Sequence, residues 1–179
     1  MHEWNISNFD IEQAFVQSDL DFEVFMRLPP GCGSMSGRIV RLNRSLYGLR
    51  QAARQFYKLL VSKLVGIGFE QCLSDPCVLR MVVGGDLVGA VVIHVDDIIF
   101  GGSDSVSRIV VETLNKTLPA KHLGDLSWYM GVEYKRDKEK GTIELSQTSY
   151  IRTVLERFDV SRSSSLPASA SVNLRSLER

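Results

Sequence analysis

The clearest helical pattern in the chain covers residues 51–65. Ala53, Phe56, Leu60 and Leu64 recur there every three or four positions, and this spacing predicts a helix that buries the face they share. Two glycines directly after this stretch predict its end. Weaker patterns predict a helical turn at residues 11–18 and helices at residues 105–118 and 149–158.

Apolar runs bounded by turn residues predict most of the remaining elements to be strands. They cover residues 4–10, 23–28, 38–44, 77–83, 86–100, 128–136 and 142–145. Gly84-Gly85 is a hairpin signal between two of these runs. Because most strands are joined as hairpins with helices between them, the pattern predicts an α+β fold, an antiparallel sheet with helices packed on one face.

Two adjacent carboxylates, Asp96 and Asp97, interrupt the apolar run of residues 86–100. Apolar residues on both sides predict buried strands, so the natural place for the pair is the turn of a tight hairpin at the edge of the sheet. Like charges this close raise each other's pKa, and a bound divalent cation relieves the repulsion. Ligands that are all oxygen suit Mg²⁺.

A third carboxylate, Asp10, lies where a predicted strand gives way to a helical turn, 86 positions before Asp96. Only the fold can bring the two together. Three carboxylates in one place are enough for two cations about 3.5–4 Å apart, the arrangement that supports in-line phosphoryl transfer. Taken singly, each site has a simpler interpretation, Asp96-Asp97 as a polar turn and Asp10 as a helix cap.

Charge is balanced overall, with 21 basic and 21 acidic residues, but it is unevenly distributed. Residues 24–69 contain no Asp or Glu, and they contain eight basic side chains, a pattern that suits a phosphate backbone. Three of these, Arg50, Arg54 and Lys58, are predicted to share one helix face, which on its own would simply be a solvated face. The eight are Arg27, Arg38, Arg41, Arg44, Arg50, Arg54, Lys58 and Lys63.

The remaining composition excludes several classes of protein. Three cysteines without a C-x-x-C pair and three scattered histidines argue against a zinc site. An odd thiol count and the lack of a secretory start predict an intracellular, reducing location rather than secretion. The longest strongly apolar run, residues 87–93, is too short to span a membrane.

Five blocks of sequence form a specific combination by their order and spacing. They are Asp10-Ile-Glu-Gln-Ala-Phe15, Arg44-Ser-Leu-Tyr-Gly-Leu-Arg-Gln-Ala-Ala-Arg-Gln-Phe-Tyr57, His94-Val-Asp-Asp97, Leu123-Gly-Asp-Leu-Ser-Trp-Tyr-Met-Gly-Val132 and Leu145-Ser-Gln-Thr-Ser-Tyr150. Over about residues 4–160 they resemble the palm of a copia-type retrotransposon reverse transcriptase. The family counterparts are its first catalytic motif, "SLYGLKQSPRQWY", "YVDD", the primer-holding "LGxLxYFLGI" and "LSQxxY".

This resemblance implies an RNA-directed DNA polymerase and a role for each carboxylate. Asp10 and Asp96 would be the main ligands of two Mg²⁺ ions, with Mn²⁺ as the alternative, and Asp97 would support them. One ion would activate the primer 3′-hydroxyl, and the other would hold the triphosphate and the leaving pyrophosphate. The implied partners are an RNA or DNA template with its primer and deoxynucleoside triphosphates.

The resemblance also implies nucleotide contacts. Backbone amides from Ile11 to Ala14 would lie near the phosphates. Phe15 would lie under the deoxyribose and exclude a 2′-hydroxyl, although a plain core phenylalanine would have the same pattern. Tyr47, Gly48 and Arg50 would lie near the incoming nucleotide and the template.

Contacts to the nucleic-acid strands are implied as well. Met130 and Gly131 would form the turn that grips the primer; the alternative is an ordinary strand with a glycine bulge. Arg44, Arg54 and Lys58 would contact the phosphate backbone.

The same resemblance divides the chain into three segments. The chain also departs from the family pattern in three places. Residues 1–146 would be the palm with partial fingers elements, residues 147–160 the start of a thumb helix, and residues 161–179 a serine-rich, disordered tail. His94 replaces the usual Tyr of the catalytic turn, and Ala52-Ala53 replaces Ser-Pro. Only a few residues precede Asp10, where the family has its fingers segment.

The short start predicts a truncated fragment with weak or no polymerase activity. A second interpretation is an inactive retroelement remnant that only binds nucleic acid. A third is an unrelated carboxylate-metal nuclease. The expected location is intracellular, in the cytoplasm, in retroelement particles or in the nucleus.

Overall fold

The computed structural model describes residues 4–158, which form two compact units that meet between Leu126 and Ser127. The strands are β1 (Asn5–Ile11), β2 (Phe25–Arg27), β3 (Ile39–Arg41), β4 (Glu70–Gln71), β5 (Val78–Val83), β6 (Asp86–His94), β7 (Asp97–Gly102), β8 (Ala120–Asp125), β9 (Trp128–Tyr129), β10 (Val132–Asp137) and β11 (Thr142–Ser146). The helices are α1 (Ala52–Val65), α2 (Asp104–Thr117) and α3 (Thr148–Arg157), with short 3₁₀ helices at Ala14–Gln17 and Gly33–Met35.

The first unit is organised around a six-stranded sheet in the order β4-β5-β6-β7-β1-β8, in which every neighbouring pair is antiparallel. A separate two-stranded ribbon joins β2 to β3. The α+β class with a mostly antiparallel sheet is therefore as predicted.

Buried and less buried residues alternate along the central strands, so the hydrophobic core lies on one face of the sheet. Phe9 and Ile11 of β1, and Ile98 and Phe100 of β7, are almost completely buried. They form one hydrophobic cluster with the apolar faces of α1 and α2. The helices therefore cover one face, and the residues that alternate with the core residues point to the other.

Two facing glycines allow close packing, of α2 against the sheet at Gly89 and of the neighbouring strand at Gly102. Gly89 on β6 is the cross-strand partner of Gly102 on β7. A Cβ atom at residue 89 would lie 2.9 Å from Cγ1 of Val106 on α2, and one at residue 102 would lie 2.9 Å from the carbonyl oxygen of Val88. Larger side chains at either position would have to displace the helix or the strand.

The strongest helical pattern is confirmed, except that one residue of the predicted buried face is replaced by its neighbour. The buried residues of α1 are Ala52, Phe56, Leu60 and Leu64, whereas Ala53 is exposed. A helix keeps residues four apart on one stripe, so Ala52 rather than Ala53 continues the row. Arg50 lies in a turn before the helix begins, so it does not share a helix face with Arg54 and Lys58, and that prediction was wrong.

The second unit consists of the sheet β11-β10-β9 and α3. Its β10–β11 hairpin turns through residues 138–141, as predicted from the sequence. The sequence pattern did not predict three of the strands as separate elements: the short β4 and β9, and the longer β8. The predicted boundary at residues 146/147 differs from the one between the two compact units, and the predicted disordered tail lies outside the described residues. Within the described part, no helix is long and apolar enough to cross a membrane.

Candidate active site

The hairpin of β6 and β7 carries the acidic pair where the sequence predicted a turn. His94 and Asp97 are cross-strand partners, which leaves Val95 and Asp96 as the two-residue turn. Ile93 and Ile98 on either side are buried and fix the hairpin in the core. The turn is thus held rigidly by its own strands.

The fold brings the third carboxylate to the same end of the sheet. Asp10 of β1 is the direct cross-strand partner of Asp97 of β7. Direct partners in an antiparallel pair point to the same face, with Cβ atoms about 4.5–5.5 Å apart. Because Phe9 and Ile11 point towards the helices, Asp10 and Asp97 lie on the face that α1 and α2 leave uncovered.

The electrostatics of Asp97 reflect this crowding. Partial burial raises the pKa of the Asp97 carboxyl, and the negative charges of Asp96 and then Asp10 raise it further. His94, its cross-strand partner, acts in the opposite direction. Repulsion among the three aspartates is therefore a property of the folded chain, and a cation between them would relieve it.

The donor set fits a hard divalent cation, although the side chains are not yet arranged as a cage. Carboxylate oxygens are the ligands that Mg²⁺ prefers. Among residues 4–158, however, no group of three or more His, Cys, Asp or Glu side chains has the geometry to hold a metal ion. Asp10, Asp96 and Asp97 are only partly buried, so their carboxylates are accessible from solvent.

A fourth charged residue at this place was missed by the sequence analysis. Lys121 of β8 is the other cross-strand partner of Asp10, on the side opposite Asp97. The pairing places its ammonium group on the same face as the aspartates. Residues 120–125 show no strand-like alternation of apolar residues, so no signal in the sequence identified β8.

The turn between β6 and β7 contains a strained residue. Val95 has a φ of 59°, a region that β-branched side chains rarely adopt. It is the first of the two turn residues, where a type II′ hairpin turn normally has glycine. Strain of this kind often occurs at functional sites, where the surrounding structure imposes it.

Val95→Gly is therefore expected to raise the free energy of unfolding by about 1 kcal/mol, because glycine adopts a positive φ without steric cost. The midpoint of urea unfolding at an unchanged slope would measure the gain. Val92→Gly is the matched control, since Val92 is 39% exposed, Val95 is 43% exposed, and only Val95 has a positive φ. Equal destabilisation by both changes would contradict strain at Val95.

Asp97→Asn is expected to stabilise the fold by a few degrees in Tm at pH 7. The raised pKa means that the folded chain holds this proton more tightly than the unfolded chain does. The contribution of Asp97 is fully present below its unfolded pKa of about 3.9 and is lost as the pH rises through the folded pKa. Melting curves at pH 7 and pH 3.5 should show the gain shrinking in acid; a gain of equal size at both pH values would refute this origin.

The nucleotide-contact residues predicted around the first block are mostly buried. The Ile11 side chain is in the core, so only its backbone is available to a ligand. The Glu12 amide donates a 2.9 Å hydrogen bond to the carbonyl oxygen of Pro119, which engages one of the four amides between Ile11 and Ala14. Phe15 is also buried, and its ring contacts Tyr47.

Met130 and Gly131 form a turn, as the resemblance implied. They connect β9 to β10 as a two-residue hairpin turn between the partners Tyr129 and Val132. Both residues have a positive φ, 50° and 77°, the combination of a type I′ turn. A glycine bulge within a continuous strand, the alternative, is not what forms here.

The basic side chains of residues 24–69 differ in their availability. Arg44 forms an ion pair with Asp19, and Arg41 forms one of 2.8 Å with Glu23. Arg54 and Lys58 are exposed on α1. The acid-free stretch is thus partly neutralised by the acidic loop that comes directly before it.

The comparison with known families decides the assignment. The family model described as "Reverse transcriptase (RNA-dependent DNA polymerase)" matches residues 1–169. The chain belongs to the reverse transcriptase family. The similarity therefore covers both compact units, including β8, which the sequence pattern did not reveal.

Relatives of this reverse transcriptase chain are the Pol polyproteins of plant and yeast transposons. It is 31% identical over 160 residues to the retrovirus-related Pol polyprotein from transposon TNT 1-94 of Nicotiana tabacum, covering 87% of this chain and 12% of that protein. It is 32% identical over 157 residues to the one from transposon RE2 of Arabidopsis thaliana, covering 86% of this chain and 11% of that protein. These relatives confirm the copia-type resemblance, and the chain spans about a tenth of their length.

Asp19→Asn is expected to strengthen binding of the reverse transcriptase chain to an RNA–DNA duplex by up to about fivefold, because it frees Arg44 from an exposed ion pair worth up to about 1 kcal/mol. Fluorescence anisotropy at low salt would measure the change. Asp21→Asn removes the same charge, but Asp21 accepts a hydrogen bond from Gln55 rather than from an arginine. An equal gain in both variants would mean that only net charge matters.

Proposed function

We propose that the chain is the catalytic region of an RNA-directed DNA polymerase, which adds deoxynucleotides to the 3′-hydroxyl of a primer by two-metal phosphoryl transfer. The observation that carries the proposal is the register of β1 on β7, which pairs Asp10 with Asp97 beside the turn that contains Asp96. Family membership supports the class of reaction, and the register supports the proposal that these three carboxylates form its site.

The carboxylates have separate roles in this proposal. Asp10 and Asp96 would be the main ligands of two Mg²⁺ ions, and Asp97 would support them. Bound there, the ions would supply charge neutralisation for the phosphates and a lower pKa for the attacking hydroxyl. A cation bound beside Asp97 would lower the pKa that burial and the neighbouring aspartates raise, and so would favour its charged form. Mn²⁺ has the same ligand preference and is the expected substitute.

The uncovered face of the sheet is the proposed position of the primer end and the triphosphate. Lys121 on β8 is the cation closest in register to Asp10, and it can hold a phosphate oxygen beside the carboxylates. Preorganised charge of this kind is usually the largest contribution to the rate of such reactions.

The proposed contacts to the template and the primer are those that the family resemblance implies. Arg44, Arg54 and Lys58 are the proposed contacts to the phosphate backbone. The turn of Met130 and Gly131 is the proposed primer grip. Residues 1–146 as palm, residues 147–160 as the start of a thumb, and an intracellular location belong to the same proposal.

Primer extension tests the proposed function. Purified chain, an RNA template, a labelled DNA primer and four deoxynucleoside triphosphates should give extension with Mg²⁺ and none with EDTA. Long incubations and excess protein would make slow extension detectable. A primer that becomes shorter instead of longer would point to a nuclease.

One alternative has a specific observation in its favour. Arg54 and Lys58 are exposed on α1 and need none of the aspartates to bind nucleic acid. A chain that only binds would shift the template–primer duplex in a gel, with equal affinity in Mg²⁺ and EDTA, and would extend nothing. That result would replace the polymerase proposal with a nucleic-acid-binding module.

A further inference from the structure

The two-stranded ribbon of β2 and β3 has one partly covered face and one exposed face. Its pairing extends beyond the two strands, because the amide of Leu42 donates to the carbonyl oxygen of Val24 at 2.8 Å, and the amide of Leu28 donates to that of Arg38 at 2.9 Å. Along residues 24–28, half-buried and exposed side chains alternate without exception. Because successive strand residues point to opposite faces, all the exposed ones lie on the same side of the ribbon.

The exposed face carries two apolar and two basic side chains in alternation. Phe25 is the cross-strand partner of Arg41, and Ile39 is the partner of Arg27. Direct partners share a face, with Cβ atoms about 4.5–5.5 Å apart. Phe25 is 58% exposed and Ile39 is 63% exposed. Each apolar side chain therefore has one arginine opposite it and the other arginine next to it on its own strand.

Both arginines keep hydrogen-bond donors available, since a guanidinium has five N–H groups. Arg27 donates a 2.9 Å hydrogen bond to the carbonyl oxygen of Gly37, in the loop that joins the two strands. Arg41 forms its 2.8 Å ion pair with Glu23, and both side chains of the pair are more than half exposed. An ion pair so exposed is weak, so a phosphate can take the place of Glu23.

The ribbon carries no negative charge of its own. Residues 24–44 contain four arginines and no Asp or Glu. Phosphates complement this charge, and the open face of an aromatic ring is a platform on which an unpaired base stacks. Bases within a duplex are already stacked on one another, so a ring contact favours a single strand. An acidic peptide would match the arginines alone.

We propose that the exposed face of the ribbon, formed by Phe25, Arg27, Ile39 and Arg41, is a binding site for single-stranded nucleic acid. One base stacks on the ring of Phe25, and the neighbouring phosphates are held by Arg27 and Arg41. The site uses none of the three aspartates and none of the basic residues proposed above for the phosphate backbone. It therefore goes beyond the proposed function and needs no metal ion.

Fluorescence anisotropy with a labelled oligouridylate in EDTA tests the site, and a blunt RNA–DNA duplex is the second probe. Phe25→Ala should weaken binding of the oligouridylate at least about fivefold and leave binding of the duplex unchanged, because only the single strand offers a base to stack. Phe25→Trp should keep the affinity within about twofold. Phe22→Ala is the matched control, since Phe22 is 60% exposed and comes before the ribbon. Equal losses at both positions, or an equal loss for the duplex, would overturn the proposal.

The salt dependence of binding tests the two arginines. Arg27→Gln and Arg41→Gln should each reduce the slope of the logarithm of the binding constant against the logarithm of the salt concentration by about 0.7, the value for one phosphate contact to a single strand. Arg80→Gln, at an exposed position of β5, is the control and should leave the slope unchanged. Unaltered slopes in both ribbon variants would contradict phosphate binding at this face.

The remaining outcomes separate this inference from its alternatives. Should Phe25→Ala lower the Tm, Phe25→Leu keeps an apolar side chain without the ring and gives the same decision. Polyglutamate that binds as tightly as the oligouridylate, with the same loss in Arg27→Gln, would identify an acidic peptide as the occupant and overturn the proposal. Asp96→Asn should bind the oligouridylate as the wild type does, even where it extends no primer. A wild type that does not bind the single strand would overturn the inference, whatever primer extension shows.

Discussion

Replacing Asp96 by Asn is expected to lower the rate of primer extension by on the order of 10³-fold. The substitution keeps the size and shape of the side chain and removes one of the two main carboxylates proposed to hold the cations. Electrostatic stabilisation of the transferring phosphoryl group is the main contribution of such a site, and loss of one preorganised element typically lowers the rate by about 10²–10³-fold. Asp10→Asn should have an effect of the same size, because its register partner Asp97 cannot replace it.

Asp86→Asn is the matched control for this loss. Asp86 is an exposed aspartate at the start of β6, at the end of that strand opposite the turn that contains Asp96. Rates should be unchanged in this variant, and the melting temperature of all three should stay close to that of the wild type. If Asp96→Asn extends primers as fast as Asp86→Asn does, the turn is not the catalytic site.

The second large effect is expected in stability. Phe56→Ala should lower the free energy of unfolding by about 3–5 kcal/mol, because it removes a fully buried ring and leaves a cavity. Phe56 is packed in the hydrophobic cluster that joins α1 to the sheet, and its ring supports that of Phe15. Urea unfolding followed by circular dichroism would measure the change.

Val65→Ala provides the comparison on the same helix. Val65 is the last residue of α1 and is 48% exposed, so its truncation should change stability by no more than about 0.5 kcal/mol. A loss at Phe56 as small as the one at Val65 would mean that the ring is not part of the core.

Helix α1 and the hairpin of β6 and β7 could be predicted from the sequence, because each is formed by residues that lie close together along the chain. The stripe at Phe56, Leu60 and Leu64 is regular because one side of α1 is buried. The hairpin of β6 and β7 has an apolar run on each side of a polar turn. In contrast, β8 is an edge strand whose Lys, His and Leu side chains are exposed, so it has no pattern of burial to detect.

The residues of the candidate site could be singled out from the sequence, whereas their geometry could not. The sequence indicated Asp10, Asp96 and Asp97 separately, but the pairing of Asp10 with Asp97 depends on the register of two strands that lie far apart along the chain. Lys121 enters through the same long-range pairing. The positive φ of Val95 is imposed by the hairpin on a residue that normally avoids it.

The measurement that tests the central claim most directly is a count of bound Mn²⁺ by electron paramagnetic resonance, with calorimetry for Mg²⁺. Two saturable ions are predicted for the wild type in the presence of template–primer and a deoxynucleoside triphosphate. Uptake should be lost in Asp10→Asn and in Asp96→Asn and retained in Asp86→Asn. Equal uptake in all four proteins, or no saturable uptake by the wild type, would contradict a metal site built from β1 and the turn between β6 and β7.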